Sequence, residues 1–261
     1  MRKIVIIPAR LKSTRLPEKT ILDLHGKPLI QWVYENSKKA SNIDDVFIAV
    51  DDQKVADKVS QFTENYIFTD ENHASGTDRL AEAVTKIENL TDDDLVINVQ
   101  GDEPLIDSDL INDLASLFIE DENLYVASAM HKIDKVADLK NPNNVKAIID
   151  KNSFALYFSR SIIPHHRDEW ETLLNHHENV PAPLSFFQHV GIYAYKVGFL
   201  KKIAQLEQTY LEKLEKLEQL RILENGYKIK MLETKYKSVG VDTIEDFEKV
   251  KEILSSKVKS N

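Results

Sequence analysis

Two aspartates and a short cationic stretch carry most of the chemistry this sequence can do. Asp102 follows Gln100-Gly101 and precedes Glu103-Pro104, directly after the apolar run Leu95-Val96-Ile97-Asn98-Val99. Asp242 sits in Val239-Gly240-Val241-Asp242-Thr243, the late aspartate flanked by glycine and β-branched residues. Near the start, Arg10, Lys12, Arg15 and Lys19 lie among the turn formers Pro8, Ser13, Thr14 and Pro17. Carboxylates are hard oxygen ligands for Mg²⁺, planar arginine forks grip phosphate oxygens, and a lysine adds a point charge. The set suits a nucleotide's phosphates held on Mg²⁺, with Asp102 as one ligand and Asp242 as its natural partner. The same letters also fit duller uses: a solvated acidic turn at Asp102-Glu103, a helix cap at Asp242 and a solvated basic loop at 10–19.

Such groups must be delivered by strands. Residues 3–7, 46–50 and 94–99 are short, nearly continuous apolar runs rich in β-branched residues, the pattern of strands buried on both faces of a parallel sheet. Helical patterns separate them, and a short strand is expected at Tyr66-Ile67-Phe68, so residues 1–120 form a βαβ series. In open sheets of this kind ligands bind at the carboxyl ends of the strands, which is where the cationic loop and Asp102 fall. The loop lacks the glycines of a Walker A or dinucleotide motif. At Ser75-Gly76-Thr77-Asp78-Arg79, Ser75 or Thr77 caps a helix; Ser75 and Arg79 either meet a ligand there or serve as a plain cap and an exposed first-turn residue.

Beyond residue 124 the character changes. Runs at 125–130, 145–149, 154–158 and 186–195 look like strands with little helix between them, a mixed or antiparallel part with Arg160, His189 and Tyr193 as its polar candidates or satisfied structural groups. The paired histidines 165–166 and 176–177 do not suit a metal, because neighbours in sequence point apart, and the segment between them reads as a surface excursion. The leucine-rich stretch 198–226 breaks at the capping-box pair Thr209/Glu212 into two helices, the second ending at Asn225-Gly226. Steps of three wrap its leucines around the helix, which leaves Glu218, Gln219 and Arg221 half-buried or on a salt-bridged surface.

The chain has 261 residues, a net charge of -9, a pI near 5.4 and no cysteine. Thiolate catalysis, disulfides and cysteine-type zinc sites are excluded. The acidic balance argues against nucleic acid as partner. No apolar run reaches membrane-spanning length, and a cytoplasmic location is the default expectation.

Taken in order, the segments Ile7-Pro8-Ala9-Arg10 with Ser13, Arg15, Leu16-Pro17 and Lys19, then Ser75–Arg79, Asn98–Pro104, Tyr157–Arg160, His189–Tyr193, Glu218–Arg221 and Gly240–Thr243, resemble the 3-deoxy-manno-octulosonate (Kdo) cytidylyltransferase family over essentially the whole chain. The resemblance implies an α/β nucleotide-diphospho-sugar transferase fold: a layered, mostly parallel sheet with helices on both faces and a smaller mixed part. It implies a single domain with a nucleotide half, 1–124, and a sugar-binding and dimerisation half, 125–261. The implied reaction joins CTP and Kdo into CMP-Kdo and pyrophosphate for lipopolysaccharide synthesis. By the same resemblance Pro8, Ala9, Arg10, Arg15, Lys19, Ser75 and Arg79 bind the nucleotide, and Asp102 and Asp242 ligate Mg²⁺. Gln100, Arg160, His189, Tyr193, Glu218 and Gln219 line the sugar pocket, with Arg160 and His189 as candidates for the sugar's carboxylate, and the protein is a homodimer. Glu18 and Thr20 stand where the family has glycine and proline, and the excursion at 165–183 is atypical. Alternatives are transfer to 8-amino-Kdo or a sialic acid, or a non-catalytic nucleotide-binding protein on the same fold.

Overall fold

The computed structural model describes residues 1–258 other than Thr14 and Ala74; Thr14, one of the turn formers in the cationic loop, lies outside the described residues. In chain order the elements are β1 (Lys3–Ala9), the ribbon strands β2 (Asp23–Leu24) and β3 (Lys27–Pro28), α1 (Leu29–Ser37), β4 (Asp45–Val50), α2 (Gln53–Val59), β5 (Tyr66–Phe68), α3 (Gly76–Thr85), β6 (Leu95–Asn98), α4 (Ser108–Glu120), β7 (Val126–Lys132), α5 (Val136–Lys140), β8 (Lys146–Ile149), β9 (Ala155–Ser159), α6 (Trp170–His176), β10 (Phe187–Lys196), α7 (Val197–Ala204), α8 (Tyr210–Glu215), α9 (Gln219–Glu224), β11 (Lys230–Glu233) and α10 (Ile244–Val258). They form two compact units. The first holds Met1–Glu122, Ile192–Ala204 and the chain from Ser238 on; the second holds Asn123–Gly191 and Gln205–Lys237. The chain thus returns twice to its first unit after residue 124, which a single cut in the sequence does not describe.

In the first unit β1 pairs in parallel with β4 and β6, β4 pairs in parallel with β5, and the end of β10 runs antiparallel to β6. Ile4 to Ile7, Leu95 to Ile97 and Ile48 to Val50 have no exposed surface, so the continuous apolar runs are strands covered on both faces. Helices α1 and α4 pack together, as do α3 and α7. Register matters at the strand ends: Ala9 lies opposite Val50 and Ile6 opposite Asn98. The loops after β1, β4 and β6 therefore leave the sheet side by side, carrying Arg10, Asp51 and Asp102. Gly101 lies against β1: a Cβ at this position would sit 2.4 Å from the Pro8 carbonyl oxygen, so a side chain would force the two strand ends apart.

In the second unit β10 and β8 are antiparallel, β8 and β9 are antiparallel, and β11 is parallel to β7. The excursion between the histidine pairs lies largely at the surface, as expected, and is anchored by α6, whose Leu173 is buried against Ile133, Val136, Leu139 and Phe186. One expectation needs correcting. The leucine-rich stretch forms three helices, not two, because the chain leaves α8 at Lys216 in a left-handed conformation and restarts at Gln219. The buried ion pair of Arg221 with Glu212, at 2.6 and 2.8 Å, ties α9 back to α8. Removing either partner would leave the other charge buried and unpaired, at a cost of about 3–5 kcal/mol.

Candidate active site

Lys19 is the hub of the first unit's polar cluster. It opens a single 3-10 turn, Lys19–Ile21, behind Glu18, which holds a left-handed backbone with φ of 55°. That conformation is why a glycine would be at home there. The Glu18 carboxylate is taken by Lys54 on α2 at 2.5 Å, so the acid that departs from the family pattern is neutralised locally. The Lys19 ammonium lies 2.7 Å from Asp102 and 2.9 Å from Asp242, with its side chain 11% exposed. Burial alone would lower its pKa, but Asp102 and Asp242 outweigh burial and raise it above the ordinary value. Arg15 completes the cluster at 2.8 Å from Asp242.

Local sequence explains how the two aspartates are presented. The Asp102 carbonyl accepts the Val241 N–H at 2.9 Å, which fastens the later segment to the end of β6. Asp242 is not the cap of α10: Thr243 and Asp246 cap it reciprocally, with the Asp246 carboxylate accepting the Asp242 and Thr243 N–H groups at 3.1 and 3.0 Å. Its own carboxylate is left for Lys19 and Arg15. Nor do Asp102 and Glu103 form one acidic turn, since Glu103 accepts from the Ser238 hydroxyl while Asp102 faces Lys19. Lys12 pairs with Glu71 at the surface, 2.8 Å away.

Ser75 caps α3, its hydroxyl accepting the Asp78 N–H at 3.1 Å. Arg79 is fully buried, which corrects the picture of an exposed first-turn residue. Its Nη1 donates to Thr69 Oγ1 at 2.5 Å and its Nη2 to Asp51 at 3.1 Å, while Nε has no partner. Burial pushes the guanidinium pKa down, Asp51 opposes this, and the charge on Arg10 adds to the depression. Arg10 and Arg79 are thus close enough to repel. Pro8 and Ala9 close β1 beneath them.

In the second unit the Arg160 side chain donates to the Glu215 carbonyl at 2.8 Å and to that of Pro142 at 3.2 Å, and the Glu215 carboxylate accepts from Ser159 and the Arg160 N–H. His189 meets Ser128 at 2.9 Å and packs edge-on to Phe158. Burial pushes its imidazole down to about 3, so at neutral pH it carries no charge and offers a carboxylate only a neutral hydrogen bond. Gln219 is buried and Glu218 is exposed. Gln100 and Tyr193 belong to the first unit, where Tyr193 stacks on Tyr195 at 5.6 Å and lies opposite Asn98.

Sequence reasoning passed over Asp51, Thr69, Lys54 and Ser128. Asp51-Asp52 was visible as an acidic strand end, but nothing local separates Asp52, which caps α2, from Asp51, which holds Arg79 from 28 positions away.

The described residues contain no cluster of three or more metal-ligating side chains. The paired carboxylates nevertheless fit Mg²⁺: both are hard oxygen donors, a single ammonium already stands between them as a cation, and Mg²⁺ characteristically takes one or two carboxylates with substrate phosphates filling its remaining positions.

A mostly parallel sheet with Asp102 and the Arg10–Lys19 loop at its strand ends, joined there by Asp242, is an architecture of the nucleotide-handling α/β class. The cytidylyltransferase family model matches residues 4–230, and the chain belongs to that family. It is 48% identical over 252 residues to the 3-deoxy-manno-octulosonate cytidylyltransferase of Francisella tularensis subsp. novicida, covering 96% of this chain and 98% of that one. It is 44% identical to the protein of the same name from Fusobacterium nucleatum subsp. nucleatum, over 96% of both chains. Among solved structures it matches a CMP:2-keto-3-deoxy-manno-octonic acid synthetase complexed with CTP, with a TM-score of 0.88 and 37% identity, covering 98% of this chain and all of that one. A 4-diphosphocytidyl-2C-methyl-D-erythritol synthase from Anaerococcus prevotii shares the fold alone, at a TM-score of 0.59 and 10% identity.

Proposed function

We propose that this chain transfers CMP from CTP to the anomeric hydroxyl of Kdo, releasing pyrophosphate, in the supply of CMP-Kdo for lipopolysaccharide synthesis. The observation that carries the proposal is the end-to-end match to proteins named for that reaction, 48% identical over 96% of the chain. The site supplies what the reaction needs. The sugar oxygen attacks the α-phosphorus in line while the bond to pyrophosphate breaks, so no side-chain nucleophile is required, and catalysis is positioning and charge neutralisation. Arg10, Arg15 and Lys19 bind the triphosphate and stabilise the departing pyrophosphate, and Ser75 and Arg79 hold the nucleotide. Asp102 and Asp242 hold Mg²⁺, which when bound draws charge from the phosphates and eases ionisation of the sugar hydroxyl. Arg160, His189, Glu218 and Gln219 of the second unit are proposed for the sugar acid, with His189 acting as a neutral hydrogen-bonding group.

The active form is proposed to be a cytoplasmic homodimer. Among the described residues no helix is long and apolar enough to cross a membrane. A pyrophosphate-release assay with CTP, Mg²⁺ and Kdo tests the proposal. Turnover that requires both CTP and Kdo supports it; turnover with a sialic acid or 8-amino-Kdo but not Kdo, or CTP binding without pyrophosphate release, refutes it.

A further inference from the structure

Asp51 stands where three parts of the first unit meet. It follows β4, and its carboxylate faces two ways: Oδ1 accepts the Leu11 N–H at 2.9 Å and Oδ2 accepts Arg79 Nη2 at 3.1 Å. Leu11 is the residue after Arg10, so the first contact fixes the start of the cationic loop. Arg79 is fully buried and braced on its other side by Thr69, whose hydroxyl donates to the Val50 carbonyl at 3.0 Å. The Asp51 side chain is only 8% exposed, so little water screens it from either partner. Burial lowers the Arg79 pKa, and Asp51 is the group that most opposes that lowering.

We infer that Asp51 is a positioning residue for the reaction, the counter-charge that fastens the start of the Arg10–Leu11 loop to the buried Arg79 guanidinium and so fixes where the cationic loop is presented. An acid beside a triphosphate would ordinarily weaken its binding by repulsion. Here both carboxylate oxygens are turned onto donors, Oδ1 onto the Leu11 N–H and Oδ2 onto Arg79. The inference rests on the nucleotide-binding roles proposed for Arg10 and Arg79, and it assigns Asp51 no contact with substrate.

The two possible roles of this charge predict opposite signs. In Asp51→Asn the amide oxygen can still accept from Leu11, but the charge opposite Arg79 is lost. A clamp predicts that KM for CTP rises at least tenfold while KM for Kdo stays within twofold, and that CTP affinity by isothermal titration falls in parallel. Asp51→Glu, which keeps the charge, should recover part of the loss. A mere acidic neighbour predicts tighter CTP binding in Asp51→Asn, and that result overturns the inference, as does an equal change in both KM values. Thr69→Val removes Arg79's other brace without altering charge and should raise KM for CTP about threefold. Should Asp51→Asn not fold, unchanged CTP constants in Thr69→Val overturn the clamp. Arg10→Ala separates the two layers: if it leaves CTP binding unchanged, the phosphate role of the loop fails; if it weakens CTP while Asp51→Asn does not, only the clamp fails.

Discussion

Replacing Lys19 with methionine should make the protein bind a divalent cation more tightly in the absence of nucleotide. The ammonium makes two ion pairs, at 2.7 and 2.9 Å, with carboxylates whose side chains are 30% and 43% exposed. Partly exposed pairs are each worth up to about 1 kcal/mol. A metal that enters between Asp102 and Asp242 must forfeit both, about 1–2 kcal/mol, or a factor of roughly 5–30 in affinity. Methionine keeps the stem and removes this competitor. It also leaves two carboxylate oxygens that both lay within 2.9 Å of one nitrogen, hence at most about 6 Å apart, with a repulsion of about 0.7–3 kcal/mol depending on screening. The metal-free variant should therefore melt earlier than wild type, and Mn²⁺ should raise its melting temperature more than that of wild type. Titration of free Mn²⁺ by electron paramagnetic resonance, without CTP, reads the affinity directly. In the same variant KM for CTP should rise, because a phosphate-binding cation is gone. Mn²⁺ affinity unchanged or weakened in a folded Lys19→Met protein would refute the idea that the ammonium occupies the cation's place.

Asp102→Asn should fold normally by circular dichroism yet lose at least about 100-fold in kcat, since a metal on the phosphates contributes several kcal/mol to the transition state; near-normal turnover would remove Asp102 from the mechanism. Gly101→Ala should cost about 1–3 kcal/mol and lower kcat by displacing Asp102, because the new Cβ meets the Pro8 carbonyl at 2.4 Å; an unchanged melting temperature with full activity would contradict this. Acid stability should respond to Glu82, for which burial is outweighed by Lys86, the Asp70 N–H and His73, bringing its pKa from 4.5 to about 2. A lowered carboxylate pKa gives stability that is present above 4.5 and lost as pH falls toward 2, so Glu82→Gln should flatten the urea midpoint over that window. His189 lowered from 6.5 to about 3 makes the unfolded chain bind the extra proton first, so stability should fall from pH 6.5 downward, and His189→Gln should remove that slope.

The sequence showed the sheet of the first unit well because its strands are buried on both faces, and an unbroken apolar run rich in β-branched residues, such as Leu95-Val96-Ile97, has few other uses. The placing of Asp102 beside the loop of Arg15 and Lys19 was legible for a related reason, since both follow buried strands and strand ends gather ligands in this architecture. Asp242 follows no strand and is brought there by the Val241 N–H on the Asp102 carbonyl. What escaped depended on partners distant in sequence. For Arg79 the sequence left a ligand contact and an exposed first-turn place both open, because its burial depends on Thr69 and Asp51. The leucines of 211–223 have the same spacing whether the helix runs straight or folds back, and the Glu212–Arg221 pair makes the choice. The segment 165–183 reads as polar because only Leu173 and a few neighbours carry its packing onto Ile133, Val136, Leu139 and Phe186.

Crystals grown with CTP and Mn²⁺, and examined by anomalous scattering at the manganese edge, offer the most direct check on the paired aspartates. The expected map has a manganese peak within bonding distance of a carboxylate oxygen from each of Asp102 and Asp242, with the Lys19 ammonium moved onto a phosphate. A peak bonded to only one of the two, or a Lys19 that still bridges them with metal and nucleotide in place, would contradict the account.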